Sequence, residues 1–300
     1  MELLVTGATG FVGRRLVPEL LDDGHAVRVL VREPARYDVP PAVAVHQGDL
    51  LEPGSFEDAL AGVDVAYYLV HSMRAGADYG ERDRRAARHF AVAASDAGVD
   101  RVVYLGGLGE EGDELSAHLE SRREVESLLA GGDYDLTVLR AAIIVGAGSV
   151  GFETIRQLAT RLPVMITPRW VHNDCQPVAI DDVLAYLVGL LEVPATAGRT
   201  YEIGGPDVIT YGEMLRRAAR VLGAREPLVL PVPVLTPQLS AHWVGLVTSV
   251  DWQVARPLID GLRNPVVVRD DSIRDVLPVE PTPYDLAVER AVARRELAGD

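Results

Sequence analysis

Glu2-Leu-Leu-Val-Thr-Gly-Ala-Thr-Gly-Phe-Val-Gly13 is the stretch that decides the fold. An apolar run at residues 3–5 predicts a strand, and glycines follow at 7, 10 and 13. Phe11, Val12, Leu16, Val17, Leu20 and Leu21 then recur at helical spacing, and Gly24 ends the pattern. Strand, glycine-rich turn and helix make the layout of a dinucleotide-binding βαβ unit. Gly7 allows the tight turn, Gly10 lets the backbone approach a pyrophosphate, and Gly13 lets the helix pack close to the strand. The free N–H groups at the helix start, with the helix dipole, suit a diphosphate. Three glycines alone say little. Their place between a strand and a helix, with a second strand at 26–31, gives them weight.

Further strands are predicted at 42–46, 63–70, 101–105 and 134–140, with helices at 80–97 and 117–130 between them. Ser55 with Asp58 reads as a capping box for a short helix ending at Ala61. Strands alternating with helices at this spacing predict an α/β fold with a doubly wound parallel sheet. The rhythm changes near residue 150, so residues 1–150 read as a Rossmann domain and 151–300 as a smaller substrate region. Residues 177–205 are expected to return to the first sheet, through a helix capped by Asp181-Asp182 and a strand at 200–203. Thr210 and Glu213 form a second capping box, opening a helix over 211–222. The proline-studded apolar stretch 227–250, with Trp243, reads as core of the C-terminal region or as the wall of an apolar pocket.

The formal charge is −15, and all 29 basic residues are arginine, with no lysine. An acidic surface argues against nucleic acid as a partner. A salt-rich cytoplasm or codon bias toward arginine would each account for the missing lysine. The lone Cys175 excludes an internal disulfide and a cysteine-based zinc cluster, so no metal is expected. No apolar run reaches membrane-spanning length and the chain enters a strand at once, so the reading is cytoplasmic with no transmembrane segment.

Thr6-Gly-Ala-Thr-Gly-Phe-Val-Gly13, Gly48-Asp-Leu50, Gln176-Pro-Val-Ala-Ile-Asp-Asp-Val183 and Tyr201-Glu-Ile-Gly-Gly-Pro206 resemble motifs of the extended and atypical short-chain dehydrogenase/reductases. Tyr68-Leu-Val-His-Ser-Met73 and Tyr104-Leu-Gly-Gly-Leu-Gly109 are most similar to the atypical NAD(P)-binding branch, with NmrA-like proteins and the nucleotide-binding accessory subunit of respiratory complex I. The resemblance runs along nearly the whole chain. It implies a cofactor site of Gly7, Thr9, Gly10, Phe11, Val12 and Gly13, with Asp49 and Leu50 beside the adenine. Leu69, Val70 and His71 are expected to line the cofactor, mostly through backbone.

Active members of that superfamily use a serine after the fifth strand and a Tyr-x-x-x-Lys pair on the next helix. Here Gly106-Gly107 stands in the serine place, His118 in the tyrosine place and Arg122 in the lysine place. The i, i+4 spacing puts His118 and Arg122 on one helical face. Arg122 suits a ribose hydroxyl and His118 a proton shuttle working near neutral pH. The plain alternative is two ordinary polar residues near a helix start, and the charges of 120–126 read as a solvated face. Tyr79, Trp170 and His172 are further candidates for the cleft, Ser72 sits at the sheet edge beside His71, and Cys175 reads as a buried spectator.

Arg32 and Arg36, just past the second strand, favour NADP(H), since an arginine there accommodates a 2′-phosphate. Glu33 between them would serve NAD instead. The leading expectation is an NADP(H)-binding oxidoreductase acting on a small carbonyl, quinone or isoprenoid-like substrate, in a chain able to form oligomers. A non-catalytic redox sensor or accessory subunit is the alternative, supported by the missing Ser-Tyr-Lys set. A nucleotide-sugar epimerase or dehydratase is weaker, because those reactions depend on the absent tyrosine.

Overall fold

The computed structural model describes residues 1–38, 40–71, 78–109, 116–231, 261 and 263–298. The first half runs β1 (Glu2–Thr6), α1 (Gly13–Asp22), β2 (Ala26–Val31), β3 (Ala44–Gln47), β4 (Val65–Tyr68), α2 (Tyr79–Asp96), β5 (Arg101–Gly107), α3 (Ala117–Leu129) and β6 (Asp135–Ala141). There follow β7 (Ile144–Val145), α4 (Val150–Arg161), β8 (Val164–Thr167), β9 (Asp174–Cys175), β10 (Val178–Ala179) and α5 (Ile180–Glu192). The chain continues through β11 (Thr200–Ile203), β12 (Ile209–Thr210), α6 (Tyr211–Val221), β13 (Leu228–Pro231) and α7 (Tyr284–Ala298).

Seven strands form one parallel sheet in the order β11-β6-β5-β4-β1-β2-β3. β1 lies between β2 and β4, so the strand order reverses beside it. That switch point opens a crevice at the carboxyl ends of β1 and β4. Helices cover both faces, and so β1 is apolar on both. Leu3 and Val5 join the core under α1 and α5, with Leu16, Val17, Leu20, Val183 and Leu187. Leu4 joins the opposite core under α2 and α3, with Phe90, Val125 and Leu129. Full burial of a leucine such as Leu16 or Leu20 contributes about 1.5–3 kcal/mol. A third core of Phe152, Ile155, Met214, Leu215, Tyr284 and Val288 joins α4, α6 and α7 beyond the sheet.

Two local readings change. Ser55 does not cap a helix: its Oγ accepts from Asp49 N at 3.0 Å and donates to Asp49 O at 3.1 Å, while the one-turn helix Glu57–Leu60 begins after Phe56. The Glu57 carboxylate serves that helix start instead, accepting from Gly54 N and Phe56 N. Asp181 and Asp182 lie inside the first turn of α5 rather than at its N-cap, which is Ala179. Asp182 accepts from the Thr282 N–H and hydroxyl at 2.8 and 2.7 Å, and Asp181 pairs with Arg294, so both tie the C-terminal segment to the sheet. The Thr210 N-cap does form, with Glu213 N donating to Thr210 Oγ1 at 3.1 Å. Ser72 and Trp243, with the rest of the apolar stretch from residue 232, lie outside the described residues. No helix among the described residues is long and apolar enough to cross a membrane.

Candidate active site in the switch-point cleft

The crevice is a cleft of about 990 Å³. The glycine turn of residues 7–13 forms part of its wall. Gly7 has φ 70, and a Cβ there would stand 2.7 Å from Leu69 O, so both the turn and its contact with the end of β4 require glycine. A Cβ on Gly13 would collide with Gly7 O. Gly10 differs, because a Cβ there would meet only Gly7 O, at 3.0 Å, and otherwise space. Among the described residues, the N–H groups of Phe11, Val12 and Gly13 have no acceptor at the start of α1. This cradle fits the diphosphate of a dinucleotide, whose negative charge favours a helix N-terminus. Arg15 fixes the turn, donating to Phe11 O at 2.8 Å and Ala147 O at 2.6 Å. Burial, with the nearby Arg14, lowers its pKa to about 10.

Thr9, Phe11, Val12, Arg32, Asp49, Leu50, Leu69, Val70 and His71 also line the cleft. Arg36 does not: its side chain is 79% exposed, with Nε 2.9 Å from Glu33 Oε2. Asp49 keeps its turn with Oδ1, which accepts from Leu51 N at 2.9 Å. Arg14 and Arg82 line the cleft as well, and the sequence reading singled out neither.

At the β4–β5 end of the cleft stand His71, His118 and Arg122. α3 starts at the N-cap Ser116, whose Oγ accepts from Leu119 N, and this places His118 and Arg122 toward the sheet edge. α3 also lies close on β5: a Cβ on Gly107 would be 3.1 Å from Leu119 Cδ2 and 3.5 Å from Arg122 Cγ. A serine in that place would need the Leu119 side chain to give by a few tenths of an ångström. Arg122 Nη2 donates to Asp83 Oδ2 at 2.8 Å and lies 2.6 Å from His71 Nδ1, which is 2.9 Å from the same carboxylate oxygen. The rings of His71 and His118 are 5.2 Å apart between centroids. His71 Nε2, His118 Nδ1 and Arg122 Nε are buried without a hydrogen-bond partner among the described residues.

Burial, then the Arg122 charge, pushes His71 down to about 4. His118 falls to about 3, chiefly from burial, then from His71 and Arg122. Both imidazoles are therefore neutral at physiological pH, which corrects the expectation that His118 titrates near neutrality. Arg122 is likewise no part of a solvated face, since its side chain is 8% exposed. Tyr79 and Asp181 do not line the cleft, nor do Trp170 and His172. Trp170 packs edge-on against Tyr211, which does line it. The Cys175 thiol is buried and pushed up to about 12 by that burial.

Asp83 escaped the sequence reading, although a signal was present. Residues 83, 86, 87, 90 and 94 share one face of α2, and four of them are apolar core. A lone carboxylate on a buried helical face marks a polar cluster.

Residues 7–166 match the family model described as NAD(P)H-binding, and the chain belongs to this family, within the atypical short-chain dehydrogenase/reductases. Ceramide reductase of Caulobacter vibrioides is 31% identical over 237 residues, covering 76% of this chain and 73% of the relative. The (4-alkanoyl-5-oxo-2,5-dihydrofuran-3-yl)methyl phosphate reductase of Streptomyces griseus is 30% identical over 225 residues, covering 74% of each. Among solved structures, Citrobacter sp. triphenylmethane reductase complexed with NADP(H) superposes with a TM-score of 0.78 at 18% identity, covering 97% of this chain and 100% of that one. That last likeness concerns the fold.

Proposed function

We propose that this chain is an NADP(H)-dependent reductase of a small, uncharged carbonyl, quinone or isoprenoid-like substrate. One observation carries the reading: a single cleft joins the glycine cradle to a buried pair of neutral imidazoles. The two reductases named above agree with it. The N–H groups of Phe11–Gly13 would hold the diphosphate, Arg32 a 2′-phosphate, and Asp49 and Leu50 the adenine side. Leu69, Val70 and His71 line the way to the nicotinamide end. When bound, the reduced nicotinamide supplies a hydride. The protein's part is to orient the carbonyl, keep water from its carbon, and provide the hydrogen bond and proton that its oxygen needs.

His118 stands where the superfamily's tyrosine would stand and is the proton donor in this reading. Its neutral imidazole acts as an N–H donor toward a developing alkoxide, the role that the histidine of triosephosphate isomerase illustrates. The proton it gives up is regained from solvent at the cleft mouth. NADPH oxidation followed against a panel of aldehydes, ketones and quinones tests the proposal. Turnover that falls about 10²–10⁴-fold in His118→Phe, with NADPH affinity kept, supports it. Tight NADPH binding without turnover on any member would favour the non-catalytic reading.

A further inference from the structure

We infer that His71 is a catalytic residue, presenting Nε2–H to the substrate's carbonyl oxygen, and that Arg122 is the positioning residue that keeps the proton on that nitrogen. This rests on the reductase reading and assigns His71 a side-chain task in place of cofactor lining through backbone. Arg122 Nη2 lies 2.6 Å from His71 Nδ1. A guanidinium has donors only, so in a hydrogen bond across that contact Nδ1 is the acceptor, while the Asp83 oxygen 2.9 Å from the same Nδ1 favours the opposite tautomer. A neutral imidazole that accepts at one nitrogen carries its proton on the other. The opposite tautomer would donate Nδ1–H to Asp83 at 2.9 Å but set N–H against N–H across the shorter 2.6 Å contact, and the shorter contact is assigned as the hydrogen bond. Asp83 Oδ2 accepts from the same Nη2 at 2.8 Å and so holds the guanidinium in place.

The consequence is a buried donor, His71 Nε2–H, with no partner among the described residues and a ring that lines the cleft. Leaving such a group unpaired is costly, and an incoming acceptor would recover that cost. The surroundings define that acceptor. Arg122 and Asp83 offset each other's charge, His71 and His118 are neutral, and Leu105, Leu108 and Leu119 add apolar wall. The offset charges of the Arg122–Asp83 pair suit a ketone or aldehyde oxygen at His71 Nε2. Donors aimed at the oxygen that becomes negative in the transition state are worth about 10²–10³-fold each in turnover.

The tautomer is read directly by ¹⁵N NMR of imidazole-labelled protein, with no cofactor or substrate present. The expected pattern for His71 is Nε2–H, changing to Nδ1–H or to imidazolium in Arg122→Met, where Asp83 alone faces Nδ1. Arg122→Lys, which is also donor-only, keeps the wild-type pattern. His71→Phe is expected to lower turnover of the best carbonyl about 10²–10³-fold with the NADPH Kd changed less than two-fold, and His71→Gln to regain part of the loss. An Nδ1–H pattern in the wild type overturns the inference, as does a His71→Phe variant that keeps full turnover or loses NADPH affinity in step with turnover. Should the wild type turn over no carbonyl, the reductase reading fails, while the tautomer measurement still decides the Arg122 claim.

Discussion

Asp83 on α2 and Arg122 on α3 form a buried ion pair, Oδ2 to Nη2 at 2.8 Å, with side chains 1% and 8% exposed. The pair joins two helices under one face of the sheet and borders the cleft. Removing one partner leaves the other charge buried, so Asp83→Ala is expected to destabilise the fold by about 3–5 kcal/mol in denaturant unfolding. Glu81→Ala on the same helix removes a pair open to solvent and should change stability by less than about 1 kcal/mol. Similar small losses for both variants would contradict the burial of the pair.

The glycines of the turn have separable roles. Gly10→Leu should keep the melting temperature within a few degrees and abolish dinucleotide binding in calorimetry, since its side chain enters the space a diphosphate needs. Gly13→Ala should lose stability as well, because its Cβ would collide with the backbone of Gly7.

Arg32 lines the cleft and Arg36 does not. Arg32→Ala is therefore expected to weaken NADPH binding about ten-fold or more, the effect of losing a charge-assisted contact worth about 1.5–3 kcal/mol, and to leave NADH binding unchanged. Arg36→Ala should change neither. Equal affinities for the two cofactors in the wild type would move attention to Glu33.

Protonation gives a further test. His71 and His118 have pKa values of about 4 and about 3 in the fold, chiefly because burial disfavours the cation. An unfolded imidazole titrates near ~6.5, so between these values the unfolded chain binds more protons and stability falls as pH falls. The stabilisation due to these groups is complete above pH ~6.5 and is lost on the way down to about pH 4 and then 3. The unfolding free energy should drop with acid in that window, and less steeply in His71→Phe/His118→Phe. Turnover should show no inflection from either imidazole between pH ~6 and ~8, unlike a histidine of ordinary pKa.

Much of the Rossmann half was legible because its signals are local. A glycine turn and alternating strands and helices depend on neighbours within a few residues, as does the Thr210 cap in the second half. The Arg122–Asp83–His71 cluster was not, because it joins three segments whose meeting only the tertiary fold decides. Arg122 and Glu126 read as a solvated helical face, yet Arg122 turns inward to Asp83 and Glu126 pairs with Arg140 of β6. Ser55 and Asp181 were misplaced for a related reason. Their sequence patterns match caps, but each bonds a partner outside its own helix, Ser55 to Asp49 and Asp181 to Arg294.

In the proposed reaction a hydride reaches a carbonyl carbon held beside His71 and His118. Incubation with NADPH carrying deuterium at nicotinamide C4, followed by mass spectrometry of the alcohol formed from the best aldehyde or ketone of the panel, tests it most directly. The expected result is one deuterium on the carbinol carbon, from one face of the nicotinamide only, and strong loss of labelled product in His71→Phe and His118→Phe. Unlabelled alcohol, or none formed by protein that binds NADPH tightly, would contradict it.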